Sequence, residues 1–178
     1  MSSVINLNNR NIILTGPMGS GKSIIGKLLA KKLNYTFIDT DDLIESNEDI
    51  SINEIFNKKG ESYFRKLENN ICKELSSKKN LVIATGGGIV LNPENIKYLR
   101  KNGIIVNLKS SVDTLWNRIK NSSNRPLLKV ENPFEKLKKI VEEREEFYNN
   151  ADIFIFTDDL TVEEIIDNLI EKLREVIK

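Results

Sequence analysis

The chain has 178 residues, 39% of them hydrophobic and 30% charged, so it can bury the core of one compact domain. Its 27 Lys and Arg balance 26 Asp and Glu, and a net charge of +1 argues against the basic face of a general nucleic-acid binder. With no histidine and one cysteine, Cys72, it excludes a His-based triad, an imidazole base, a His or thiolate zinc site, an intrachain disulfide and a CxxC redox pair.

The first ten residues are polar and lack the apolar stretch of a signal peptide. No run approaches the roughly 18 apolar residues of a membrane span. A cytoplasmic protein with no membrane partner is therefore expected. Asn11–Thr15 reads as a strand ending at a glycine-rich turn, and Lys22–Leu33 follows with Ile24, Ile25, Leu28, Leu29 and Leu33 at helical spacing. Tyr35–Asp39 reads as a second strand and Asp41–Ser46 as a short helix. Ser51-Ile-Asn-Glu54 is a capping-box pattern, and Gly60–Lys78 is expected to be a long helix. Leu81–Thr85 is a buried third strand that runs into Gly86-Gly87-Gly88. Asn92-Pro93 looks like a helix cap with proline in the first turn. Ile104–Leu108 is the fourth strand, Val112–Lys120 a helix, and Asn121–Asn132 a polar, irregular stretch. A helix from Asn132-Pro133 to about Tyr148, a strand at Ile153–Phe156 and a helix capped by Thr161-Val-Glu-Glu164 complete the chain.

Strands alternating with helices imply parallel crossovers, hence one α/β domain over residues 1–178 with its sheet covered on both faces. A polar connection as long as Asn121–Asn132 is unusual inside such a domain, and it is expected to be a lid.

The strongest chemical signal is Gly16-Pro17-Met18-Gly19-Ser20-Gly21-Lys22-Ser23, a G-x-x-x-x-G-K-[ST] pattern between a strand and a helix. The loop's amides are expected to cradle phosphates at the helix N-terminus, with Lys22 on the β- and γ-phosphates and Ser23 on Mg²⁺. Asp39 and Asp41 alternate to one side of an extended Asp-Thr-Asp segment and are both aimed at the catalytic edge. The competing reading makes Asp41 or Asp42 a helix cap. Arg65 and Arg144 read alone as ordinary helix surface, Arg144 paired with its flanking glutamates. A small anionic acceptor, however, needs the planar fork that arginine supplies. Gly86, Gly87 and Gly88 form either a loose left-handed turn or a wall that a ligand approaches closely.

Together these motifs resemble the shikimate kinase family over almost the whole chain. The resemblance is carried by Gly16–Ser23, Phe37-Ile-Asp-Thr-Asp-Asp-Leu-Ile-Glu45, Phe64-Arg-Lys-Leu-Glu68, Thr85-Gly-Gly-Gly88, Arg125-Pro-Leu-Leu128 and Arg144-x-x-x-Tyr148. It implies a three-layer P-loop kinase fold with a five-stranded parallel sheet of order 2-3-1-4-5, an acceptor-binding segment near residues 40–68 and a lid near 121–132. It also implies ATP-dependent phosphorylation of the shikimate 3-hydroxyl, ATP and shikimate as the small-molecule partners, one Mg²⁺ and a monomer. By the same resemblance, ATP is held by Gly16 to Ser23, including Pro17, Met18, Gly19, Ser20, Gly21 and Lys22, together with Arg118 and Arg125. Asp39 supports the ion through water, and Asp41 orients and deprotonates the acceptor hydroxyl. Arg65 and Arg144 clamp the shikimate carboxylate beside Gly86, Gly87 and Gly88, while Arg125 closes on the transferring phosphate. Glu146 departs from the proline of many relatives, which leaves the path of the helix near Arg144 open. A gluconate kinase and a non-catalytic nucleotide-binding module are the alternatives.

Overall fold

The computed structural model describes residues 5–122 and 126–177. Five parallel strands, β1 (Asn11–Thr15), β2 (Thr36–Asp39), β3 (Leu81–Ala84), β4 (Gly103–Lys109) and β5 (Ile153–Phe156), form one sheet in the order β2-β3-β1-β4-β5. That is the order expected. The helices are α1 (Lys22–Leu33), α2 (Thr40–Glu48), α3 (Ile52–Leu75), α4 (Pro93–Arg100), α5 (Val112–Ile119), α6 (Pro133–Tyr148) and α7 (Val162–Val176).

Alternation along β1 divides the core in two. Ile12 and Leu14 pack towards α1 and α7, whereas Ile13 packs on the opposite face with residues of α3 and α4. Every β1 residue is buried, as a central strand covered on both faces requires. Fully burying each such Ile or Leu stabilises the fold by about 1.5–3 kcal/mol.

Most boundaries fall within one or two residues of those expected, and the largest difference is at the start of the third helix. Helix α3 begins at Ile52, capped by the reciprocal Ser51–Glu54 box, and Gly60 lies inside it as a kink with φ 79° and ψ 168°. That backbone region is almost closed to residues with a side chain. A Cβ at Gly60 would meet nothing within 4 Å, so the kink, not crowding, calls for glycine. The kink divides α3 so that Phe56 before it and Phe64 and Arg65 after it line the same cleft.

Candidate active site

The site begins where β1 hands over to α1. Gly16, Gly19 and Gly21 all have positive φ, which turns the intervening amides inward. Gly21 caps α1 in the left-handed region, and no side chain caps the helix. The positive end of α1 is therefore left for an anionic ligand. Lys22 Nζ donates to Gly16 O at 2.8 Å and Pro17 O at 2.9 Å, with Ser20 Oγ at 3.4 Å. The lysine thus springs from the first turn of the helix and folds back over its own loop.

At the end of β2 the expected extended Asp-Thr-Asp segment is absent, because Thr40 already starts α2. Asp39 is the helix cap: its Oδ1 accepts from the Asp41 amide at 3.0 Å. Neither Asp41 nor Asp42 has that role. The other oxygen of Asp39 accepts from Ser23 Oγ at 2.6 Å. Ser23 and Asp39 therefore present a hydroxyl and a carboxylate side by side. This is a hard-oxygen set suited to Mg²⁺, which takes one or two carboxylates and completes its shell with water and phosphate oxygens. Among the described residues no group of three or more acidic, His or Cys side chains gathers to hold a metal, so the donor set fits an ion carried largely by its nucleotide.

The opposite wall is built on α3. Arg65 is gripped by Glu61, which accepts from Nε at 3.2 Å and Nη2 at 2.7 Å, and by Glu68, which accepts from Nη1 at 2.7 Å. Burial opposes the arginine's charge, but the two carboxylates outweigh it and raise its pKa above the ordinary value. Glu68 is fully buried. There burial prevails over the attraction of Arg65 and lifts its carboxyl above the usual range. The glycine run explains itself beside this pair. None of Gly86, Gly87 and Gly88 has positive φ, so the left-handed turn is ruled out. A Cβ at Gly88 would sit 2.3 Å from Arg65 Nη1, and one at Gly86 would sit 2.7 Å from Asp41 Oδ1. The absent side chains make room for close approach.

Helix α6 runs unbroken through Glu146 to Tyr148, so the missing proline does not divert it. Arg144 is buried and lines the same cleft as Arg65, Glu68 and Asp41, about 450 Å³ in volume. Its glutamate neighbours do not hold it on a solvated face. A second cleft of about 510 Å³ is lined by the P-loop, Arg118, Leu160, Val162 and Ile165. The two clefts share Met18, Ser23, Asp39, Asp41 and Gly87. One holds a phosphate cradle, the other a pair of arginines, and two carboxylates, Asp39 and Asp41, stand at their common wall.

Comparison with known proteins accords with that geometry. The family model of shikimate kinase matches residues 18–174. The chain belongs to the shikimate kinase family. It is 47% identical over 163 residues to the shikimate kinase of Thermodesulfovibrio yellowstonii, covering 92% of this chain and 94% of that one. Against the shikimate kinase of Caldanaerobacter subterraneus it is 49% identical over 161 residues, 90% and 94% of the two chains. A shikimate kinase from Acinetobacter baumannii in complex with shikimate superposes with a TM-score of 0.90 at 37% identity, covering 94% of each chain. A gluconokinase from Sinorhizobium meliloti superposes at 0.62 with 18% identity over 95% of this chain and 94% of that one, a likeness of fold alone.

Of the shikimate kinase site residues expected from sequence, Met18 to Ser23 of the P-loop, Asp39, Asp41, Arg65, Gly86, Gly87, Gly88 and Arg144 line the two clefts, while Gly16 and Pro17 of the loop do not. Arg118 borders the P-loop cleft, tied by Nη2 to Thr157 O at 3.0 Å and by Nη1 to Thr157 Oγ1 at 3.1 Å and Gly19 O at 3.3 Å. Arg125 lies outside the described residues; Leu127, two positions on, borders the arginine-lined cleft. Glu61 and Glu68 were not singled out from sequence. Their positions four before and three after Arg65 place them on one helix face, the signal that finds them. Cys72 is buried and its thiol is pushed far up by burial, as packing requires.

Proposed function

We propose that this chain transfers the γ-phosphoryl group of ATP to the 3-hydroxyl of shikimate, giving shikimate 3-phosphate and ADP on the way to aromatic amino acids. The observation that carries this reading is the shared wall: Asp41 borders both the phosphate cradle and the arginine-lined cleft. Phosphoryl transfer is chiefly a matter of positioning and charge, and the wall is where acceptor oxygen and γ-phosphorus have to meet.

The P-loop amides and Lys22 hold the phosphates, Lys22 exchanging its loop carbonyls for phosphate oxygens. Ser23, with Asp39 through water, would hold Mg²⁺, which when bound neutralises phosphate charge. Arg65 and Arg144 bind the shikimate carboxylate from two sides, with Arg65 pre-aimed by Glu61 and Glu68. Gly86, Gly87 and Gly88 admit the ring, and Asp41 takes the proton of the 3-hydroxyl. Arg118 borders the adenine end, and Arg125 closes from the lid onto the transferring phosphate. The balanced charge supports a protein without nucleic-acid partners. Among the described residues no helix is long and apolar enough to cross a membrane, and with one cysteine a cytoplasmic site of action is the consistent choice.

A coupled ADP-release assay tests the reading with shikimate, with gluconate and with no acceptor. Release should require shikimate and be stopped by chelation of Mg²⁺. Equal release with gluconate, or release independent of any acceptor, would refute it.

A further inference from the structure

Tyr148 ends the Arg144-x-x-x-Tyr148 motif, yet the roles above give it nothing to do. It is 4% exposed, and its hydroxyl donates to Gly87 O at 2.6 Å, towards the short end of the O–H···O range. Its own carbonyl accepts from Asn107 Nδ2 at 3.1 Å. Asn107 is a buried residue of β4, so the end of α6 is pinned to the sheet. Gly87 borders both clefts, and a Cβ there would lie 3.6 Å from Gly16 O, from Met18 N and from the Tyr148 hydroxyl alike. The P-loop backbone and the tyrosine hydroxyl therefore crowd the same side of Gly87, and a side chain there would press on both. Arg144, one turn earlier on the same helix face, is the charged neighbour of the phenol oxygen.

We propose that the Tyr148 hydroxyl is a positioning group that couples the two clefts, fixing the Arg144 guanidinium and the Gly87 wall in one relation to each other. The proposal rests on the assignment of Arg144 to shikimate. A phenol has one proton to donate and lone pairs to accept with. The proton goes to Gly87, leaving the oxygen to face the guanidinium. Phenylalanine would fill the same space and do neither. When shikimate draws Arg144 onto its carboxylate, the strain reaches Gly87 through one oxygen atom, and Gly87 lines both clefts. Occupation of the acceptor cleft thereby sets the wall against which the phosphates lie.

Calorimetry on wild-type chain and Tyr148→Phe tests this, with shikimate and a non-hydrolysable ATP analogue titrated singly and then each in the presence of the other. Removing a hydrogen-bonding hydroxyl of this kind should weaken shikimate binding to the nucleotide-free chain by about two- to tenfold. Binding of the analogue alone should stay within about twofold, and the mutual effect of the two ligands should shrink towards none. A lower melting temperature with all binding constants and their mutual effect unchanged would make Tyr148 a packing residue and overturn the proposal. A measurement on the wild-type chain keeps the question open to refutation should the variant not fold. Shikimate alone should shift the amide resonances of Gly19 and Gly21, which border only the nucleotide cleft. Unmoved resonances there would likewise overturn the coupling. Failure of the wild-type chain to bind shikimate would instead overturn the functional reading on which the proposal stands.

Discussion

Asp39 and Asp41 are the same residue type two positions apart, and the start of α2 gives them different work. Asp39 places one oxygen on the Asp41 amide and the other on Ser23, so it organises the helix end and holds the Ser23 hydroxyl. Asp41 is released from capping and turned to the wall between the clefts. Replacing it with asparagine removes the proton acceptor while keeping the shape. General-base catalysis is worth about 10²–10⁴-fold, so Asp41→Asn should lower kcat by a factor in that range and change the KM for shikimate little. Because Asp39 holds the cap, the variant should melt within a degree or two of the wild-type chain. Steady-state kinetics with near-normal kcat would remove Asp41 from the chemistry.

At the scale of elements, the kink in α3 is what the sequence pattern concealed. Asn11–Thr15, Lys22–Leu33 and Ile153–Phe156 were legible to the residue, because apolar period and glycine or capping residues agree at both ends. In α3 the local cues pull apart. Ser51 and Glu54 announce a helix start, while Gly60 reads as a break or a second start; the backbone keeps both by bending at a conformation only glycine holds comfortably. Burial of Arg144 and Glu68 was also illegible, since each lies in a charge-rich helical run and is drawn inward by residues distant in sequence. A residue with a side chain in Gly60's conformation is strained by about 1–3 kcal/mol. Gly60→Ala should therefore lose stability of that order by chemical denaturation. It should also raise the KM for shikimate more than that for ATP, because relief of the strain swings Arg65 away from Phe56's side of the cleft. Equal effects on both substrates would show that the bend serves stability alone.

For the whole molecule, the parallel sheet presents the C-terminal ends of β1, β2 and β3 to one rim, where the P-loop, the α2 cap and the glycine run follow in space as they do at the ends of those strands. The two clefts meet at Ser23 of α1 and Asp41 of α2 but otherwise draw on different helices. Beyond those shared residues, the acceptor cleft draws on α2, α3 and α6, and the nucleotide cleft on α1, α5 and α7. A ligand that binds only the folded chain stabilises it by about 2.7 kcal/mol at a concentration a hundred times its Kd. For a chain of this length each kcal/mol moves Tm by about 2–4 °C. Saturating shikimate should therefore raise Tm by about 5–11 °C, and Mg²⁺-ATP analogue by a similar amount, each without the other. Gluconate at the same concentration should leave Tm unchanged, since without a second cleft arranged for it the arginine pair would have to bind a longer, flexible acid that must lose its own conformational freedom to fit. Differential scanning fluorimetry decides the matter. A shift with gluconate and none with shikimate would reassign the acceptor cleft while leaving the P-loop untouched, and a shift with shikimate that vanishes in Arg65→Ala but persists for the ATP analogue would tie the effect to that cleft alone.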